Sequence, residues 1–178
     1  MSYTTTIAVY PGEKTEAMKE YRNSHGSAPV IWEQMAREYL NCTKSYEYPN
    51  LGWMQLGNKL WDLWKDPRVK TEHKIVFMLT FDRAYVAKKN YKRMADAIRV
   101  FLKDLPIPSD YSNHWPAFAD LFDSDPDVPG IGLYGTSVGE NPFNGEWNEE
   151  KEDYDPPDWD KIYEICEQID SLEQEVTA

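Results

Sequence analysis

The charge of this chain is divided along its length. Residues 1–103 carry 17 Lys and Arg against 11 Asp and Glu, net +6; residues 104–178 carry 2 against 20, net −18. Two such parts must either lie against each other in the fold or leave one of them facing a charged partner. The excess is densest late in the chain, where eight acids and one lysine fall between Glu146 and Asp160.

Other features narrow the setting. A chain of 178 residues can bury one hydrophobic core. No apolar run reaches the roughly 18 residues that span a bilayer. The start, Met1 to Ile7, lacks the basic and long apolar regions of a secretory signal. Cys42 and Cys166 read as free thiols of a reducing compartment. The expectation is a cytoplasmic protein without membrane contact.

The pattern of apolar residues predicts an α+β single domain with a sheet of about three strands and four or five helices. Thr4 to Tyr10 reads as a strand ended by Pro11-Gly12, and Glu13 to Tyr21 as a short helix. Ser27 is expected to cap a helix with Pro29 in its first turn and Ile31, Met35 and Tyr39 on one face, ending near Asn41. Tyr46 to Gly52 reads as a loop. Trp53, Leu56, Leu60, Leu63 and Trp64 have the spacing of a buried helix face that stops at Asp66-Pro67. Lys74 to Phe81 is a continuous apolar run, read as a central strand. Lys88 to Leu105 is an amphipathic helix, His114 to Phe122 a short helix, and Ile131 to Val138 a third strand.

Three regions follow: a core domain over 1–138, an acidic loop or tether over 139–157, and a C-terminal acidic helix over 158–178, capped by Asp158. In that helix Ile162, Ile165, Ile169, Leu172 and Val176 recur at intervals of three and four. This stripe suits docking on the core or on a partner, or a seam between copies of the chain.

Few motifs carry chemistry. Gly130-Ile131-Gly132-Leu133-Tyr134-Gly135 matches G-x-G-x-x-G, but an acidic Pro-rich turn precedes it and no helix start follows, so phosphate binding is rejected. The glycines are read instead as close backbone approaches in a strand. His25, His73 and His114 are isolated, and neither a metal nor a cofactor is expected. Asp82-Arg83, just beyond the expected strand, together with His114, makes an alternative catalytic or ligand-binding group: acid–base work by Asp82 and His114, an anion held by Arg83. The basic face from Arg83 to Lys103 carries no interleaved aromatic platform, so direct nucleic-acid binding is not expected.

The leading expectation is a non-enzymatic protein that binds a basic protein surface, as an inhibitor or nucleic-acid mimic. Its expected contacts are Glu146, Trp147, Glu149, Glu150, Glu152, Asp153, Tyr154, Asp155, Asp158, Trp159, Glu164 and Glu167. The carboxylates steer the encounter and the aromatics supply desolvated anchors. The alternatives are a small enzyme or ligand-binding protein with its site near Asp82, Arg83 and His114, and an assembly subunit that oligomerises through the last helix.

Overall fold

In the computed structural model the described residues are 2–23, 26–42, 58–135 and 141–177. Successive β-branched residues Thr4, Thr5, Thr6 and Ile7 favour extended backbone, and the turn at Pro11-Gly12, with Gly12 at φ 84°, sends the chain back. Strand β1 (Ser2–Ala8) therefore pairs antiparallel with β2 (Glu16–Asn23), with a register irregularity between Thr6 and Ile7. The short helix expected over Glu13 to Tyr21 is corrected to this strand. Its residues have no strong helical stripe, and hairpin pairing decides their state. β2 is an edge strand, and its exposed Glu16, Lys19, Glu20 and Arg22 suit an edge that must not recruit another chain.

The remaining strands are β3 (Ala84–Ala87), β4 (Gly130–Gly135), the short pair β5 (Trp147–Asn148) and β6 (Asp153–Tyr154), and β7 (Tyr163–Glu164). A five-stranded mixed sheet runs β2-β1-β4-β3-β7, all pairs antiparallel except β3 with β7. β5 and β6 form a separate two-stranded hairpin. Around the sheet lie six α-helices among the described residues: α1 (Ser27–Leu40), α2 (Asn58–Trp61), α3 (Thr71–Met78), α4 (Tyr91–Asp104), α5 (Trp115–Asp123) and α6 (Ile165–Thr177). The expected three-stranded sheet with four or five helices is thus overturned by a larger mixed sheet, an added hairpin and six helices.

The expectation for Lys74 to Phe81 is corrected. That run is helix α3, not a strand, and residues 73–79 are all buried. A helix covered on every side shows a continuous apolar run, which periodicity cannot separate from a buried strand. Asp82-Arg83 consequently lies in the turn before a strand, β3, with Arg83 at φ 65°. Gly26, at φ 84°, takes the N-cap place expected of Ser27, while Asn41 in the left-handed region ends α1 as expected. The expected loop at Tyr46 to Gly52, and Trp53 and Leu56, lie outside the described residues. Leu60 and Leu63 are buried as their spacing implies, and Asp66 before Pro67 turns extended.

The sheet separates two cores. Ala84, Val86 and Ile131 join the helices in the main one, with Tyr91, Met94, Ile98 and Phe101 of α4 and Phe118 and Phe122 of α5. Behind the sheet, Ile7, Val9 and Phe143 form a smaller core, flanked by Tyr85, Tyr134, Trp159 and Ile162. Alternation along β3 and β4 puts neighbouring residues on opposite sides, so one sheet feeds both cores. Gly132 is required here: a Cβ at this position would stand 2.7 Å from the Phe143 ring. The glycine run of β4 is a close approach of backbone and ring.

Candidate functional site

Among the described residues, the acidic segment contains a short hairpin. Phe143 anchors its start, fully buried behind the sheet. The chain then closes a hairpin in which Trp147 stands opposite Tyr154 and Asn148 opposite Asp153. The ladder is extended by Asp155 N–H donating to the Glu146 carbonyl (2.8 Å) and Gly145 N–H to the Asp155 carbonyl (2.9 Å). At the turn, the Asn148 side-chain oxygen accepts from the backbone N–H groups of Glu150 and Lys151, both at 3.1 Å. Gly145 permits the closure, since a Cβ there would lie 2.4 Å from the Pro156 carbonyl oxygen.

What the hairpin presents outward is specific. Trp147 and Tyr154 pack edge to face, centroids 5.1 Å apart at 78°, yet remain 54% and 39% exposed. The same hairpin carries Glu146, Glu149, Glu150 and Glu152, all exposed, which form no ion pair or hydrogen bond among the described residues. Asp153 and Asp155 differ. The Lys14 ammonium beside Asp153, and that of Lys151 beside Asp155, hold both carboxyls below the usual range. Lys161 does the same for Asp158.

Carboxylates further along have internal duties. Glu164 is buried at the end of β7, and its Oε1 accepts from the Ala87 backbone N–H and the Asn90 amide, each at 3.1 Å. Its Oε2 accepts from Glu167 N–H at 2.6 Å, which caps the start of α6. Asp158, expected to cap that helix, instead accepts from Asp160 N–H at 3.3 Å and opens the single 3₁₀ turn Trp159–Lys161. Glu167 pairs with Lys89, Asp170 with Arg93 at 2.9 Å, and Glu173 accepts from the Thr71 hydroxyl at 2.6 Å. Lys89, just before α4, and Arg93 of α4 thus neutralise two of the carboxylates of α6. Trp159 packs into the smaller core. Of the apolar stripe, Ile165 and Ile169 are buried in the chain's own main core and Leu172 is half-buried. Val176 is largely exposed.

Asp82, Arg83 and His114 do not bond to one another. Arg83 Nε donates to the Pro142 carbonyl (3.4 Å), fastening the acidic segment to the sheet, and His114 Nε2 donates to the Arg22 carbonyl (2.7 Å). Asp82 lies at a cavity of about 470 Å³ between the start of α1, the end of α3 and the edge where β1 begins and β4 ends. Trp32, Trp61 and Phe81 form its aromatic wall. The spacing of the region gave a signal for this: Trp61 falls off the buried stripe of its helix and is 40% exposed.

His73 is a satisfied core residue. Its Nδ1 accepts from the Tyr39 hydroxyl (2.7 Å), so Nε2 carries the proton and donates to Asp104 (3.2 Å), which also pairs with Lys70. Burial pushes the imidazole below its ordinary value, against the opposing pull of Asp104, and burial also raises the Tyr39 hydroxyl. These groups tie α1, α3 and α4 together and contain no activated nucleophile. Burial likewise pushes the Cys166 thiol up to about 12, far from a reactive thiolate. Among the described residues no group of three or more His, Cys, Asp or Glu is placed to hold a metal ion, and no helix is long and apolar enough to cross a membrane.

No protein-family profile, curated protein or solved structure matches the chain.

Proposed function

We propose that this chain is a binding protein whose acidic hairpin docks on a basic surface of another protein. The observation that carries the reading is the exposed Trp147–Tyr154 pair on a hairpin that also holds four exposed glutamates without partners among the described residues. Large aromatics held in one geometry lose little entropy on binding and bury much apolar area, which suits interface anchors. Unpaired carboxylates on the same hairpin attract a cationic surface and raise the encounter rate. The reading is narrower than the whole acidic third: Glu164, Glu167 and Asp170 serve the fold, so the contact surface contracts to residues 146–155. A nucleic-acid mimic in the full sense requires an extended row of free charge. The hairpin supplies a compact one, which favours a basic patch or peptide as the occupant.

The test is capture from a cell lysate with the full chain, at low and high salt, using three proteins. These are the wild type, Trp147→Ala with Tyr154→Ala, and Glu149→Lys with Glu150→Lys. Basic proteins are expected on the wild type at low salt, reduced by the aromatic pair change and abolished by charge reversal. Capture that survives both sets of changes, or is insensitive to salt, overturns the reading.

A further inference from the structure

The aromatic-walled cavity at the start of α1 lies apart from the hairpin and does none of its work. Its aromatic walls pack against one another. Trp61 stands edge to face with Trp32 (5.0 Å, 83°) and with Phe81 (6.0 Å, 73°), and lies parallel to Phe77 at 6.3 Å. The Trp32 indole N–H donates to the Thr80 hydroxyl at 2.7 Å, and that hydroxyl donates to the Phe77 carbonyl at 2.6 Å, so the ring is held from behind. At about 470 Å³ the space matches that of small-molecule sites. Trp61 remains 40% exposed at this concavity, a large apolar ring in contact with water.

The electrostatics select the sign of the ligand. Asp82 is exposed at the cavity and makes neither ion pair nor hydrogen bond among the described residues. No Lys, Arg or His is among the described lining residues. The faces of indole and phenyl rings are negative and attract cations, most strongly where water is displaced. One carboxylate is too few for a metal ion, and the apolar lining disfavours a small hydrated cation.

We propose that this cavity binds an organic cation: an alkylated ammonium carried on an apolar or aromatic body, its charge facing Asp82 and the rings of Trp32, Trp61 and Phe81. The site is independent of the hairpin, and changes to Trp147 or Glu149 leave it intact.

Benzyltrimethylammonium is a suitable probe, titrated into the full chain at constant ionic strength. Calorimetry and the indole N–H resonances provide the readout, with benzyl alcohol and benzoate as neutral and anionic counterparts. Saturable one-site binding of the cation is expected, with benzyl alcohol about tenfold weaker and benzoate not bound. Trp61→Ala is expected to weaken the cation at least about tenfold, and Asp82→Asn about fivefold. Asp82→Asn is isosteric at an exposed position and reads the charge preference should Trp61→Ala fail to fold. The proposal is overturned by benzoate binding as tightly as the cation, by cation binding that Asp82→Asn leaves unchanged, or by no saturation up to about 20 mM.

Discussion

The β5–β6 hairpin and helix α6 are neighbours in sequence and alike in composition, yet the fold uses them in opposite ways. α6 places Ile165 and Ile169 in the main core and sets Glu167 and Asp170 against Lys89 and Arg93. The hairpin is anchored through Phe143 and Arg83, and keeps Trp147, Tyr154 and four glutamates outside. Charge density alone therefore says little about availability. What decides is whether a complementary group of the same chain lies within reach: Lys89 and Arg93 meet α6, whereas Lys14 and Lys151 meet only Asp153 and Asp155 of the hairpin.

The largest way to break this contrast is at Ile169. Burial of such a side chain contributes about 1.5–3 kcal/mol, and Ile169→Ala is expected to cost about 3 kcal/mol in urea unfolding. A loss below about 1 kcal/mol would mean that the helix is not docked as described. Next comes Glu164→Ala, which leaves the Ala87 N–H, the Asn90 amide and the first turn of α6 without their acceptor. About 2 kcal/mol is expected, again from urea midpoints.

His73 supplies a pH-dependent version of the same distinction between charge used inside and charge left outside. Its folded pKa is depressed, so the unfolded chain binds the proton more readily. The stabilisation from neutral His73 is complete above the unfolded value of 6.5 and is lost as pH falls below it toward the folded value. Burial is the largest cause of this shift; Asp104 opposes it, Lys70 adds to it and Glu72 opposes it. Unfolding free energies at pH 5 and 7.5 are expected to differ less in His73→Gln than in the wild type; an identical difference would remove the assignment. Smallest of all, Trp147→Ala is expected to change stability by no more than about 0.5 kcal/mol while removing an interface anchor. A large destabilisation would show that Trp147 belongs to the core, and the hairpin would lose its role.

Legibility in the sequence varied with how local the controlling physics is. The amphipathic runs at residues 27–40 and 91–104 were readable because one face is buried and the other wet. The run at 74–81 was not, since a helix buried all round erases its own period. The strand β2 is not legible locally, because only pairing across the Pro11-Gly12 turn distinguishes it from a weak helix. At the site level, the Asp82, Arg83 and His114 grouping required three side chains to converge, and each bonds elsewhere or faces a cavity by itself. The cavity's aromatics come from α1, α2 and the turn after α3, a convergence that spacing within any one element cannot encode.

The sequence by itself determined a charge-divided α+β chain, the main helices, and the place of its acidic and aromatic residues. Tertiary structure alone decided which carboxylates are neutralised and which remain outside, that the acidic stretch closes as a hairpin, and that Trp32, Trp61 and Phe81 share one cavity. The reason is physical: periodicity and turn chemistry act over a few residues, whereas ion pairing and ring packing depend on distances between segments that only the closed fold brings together.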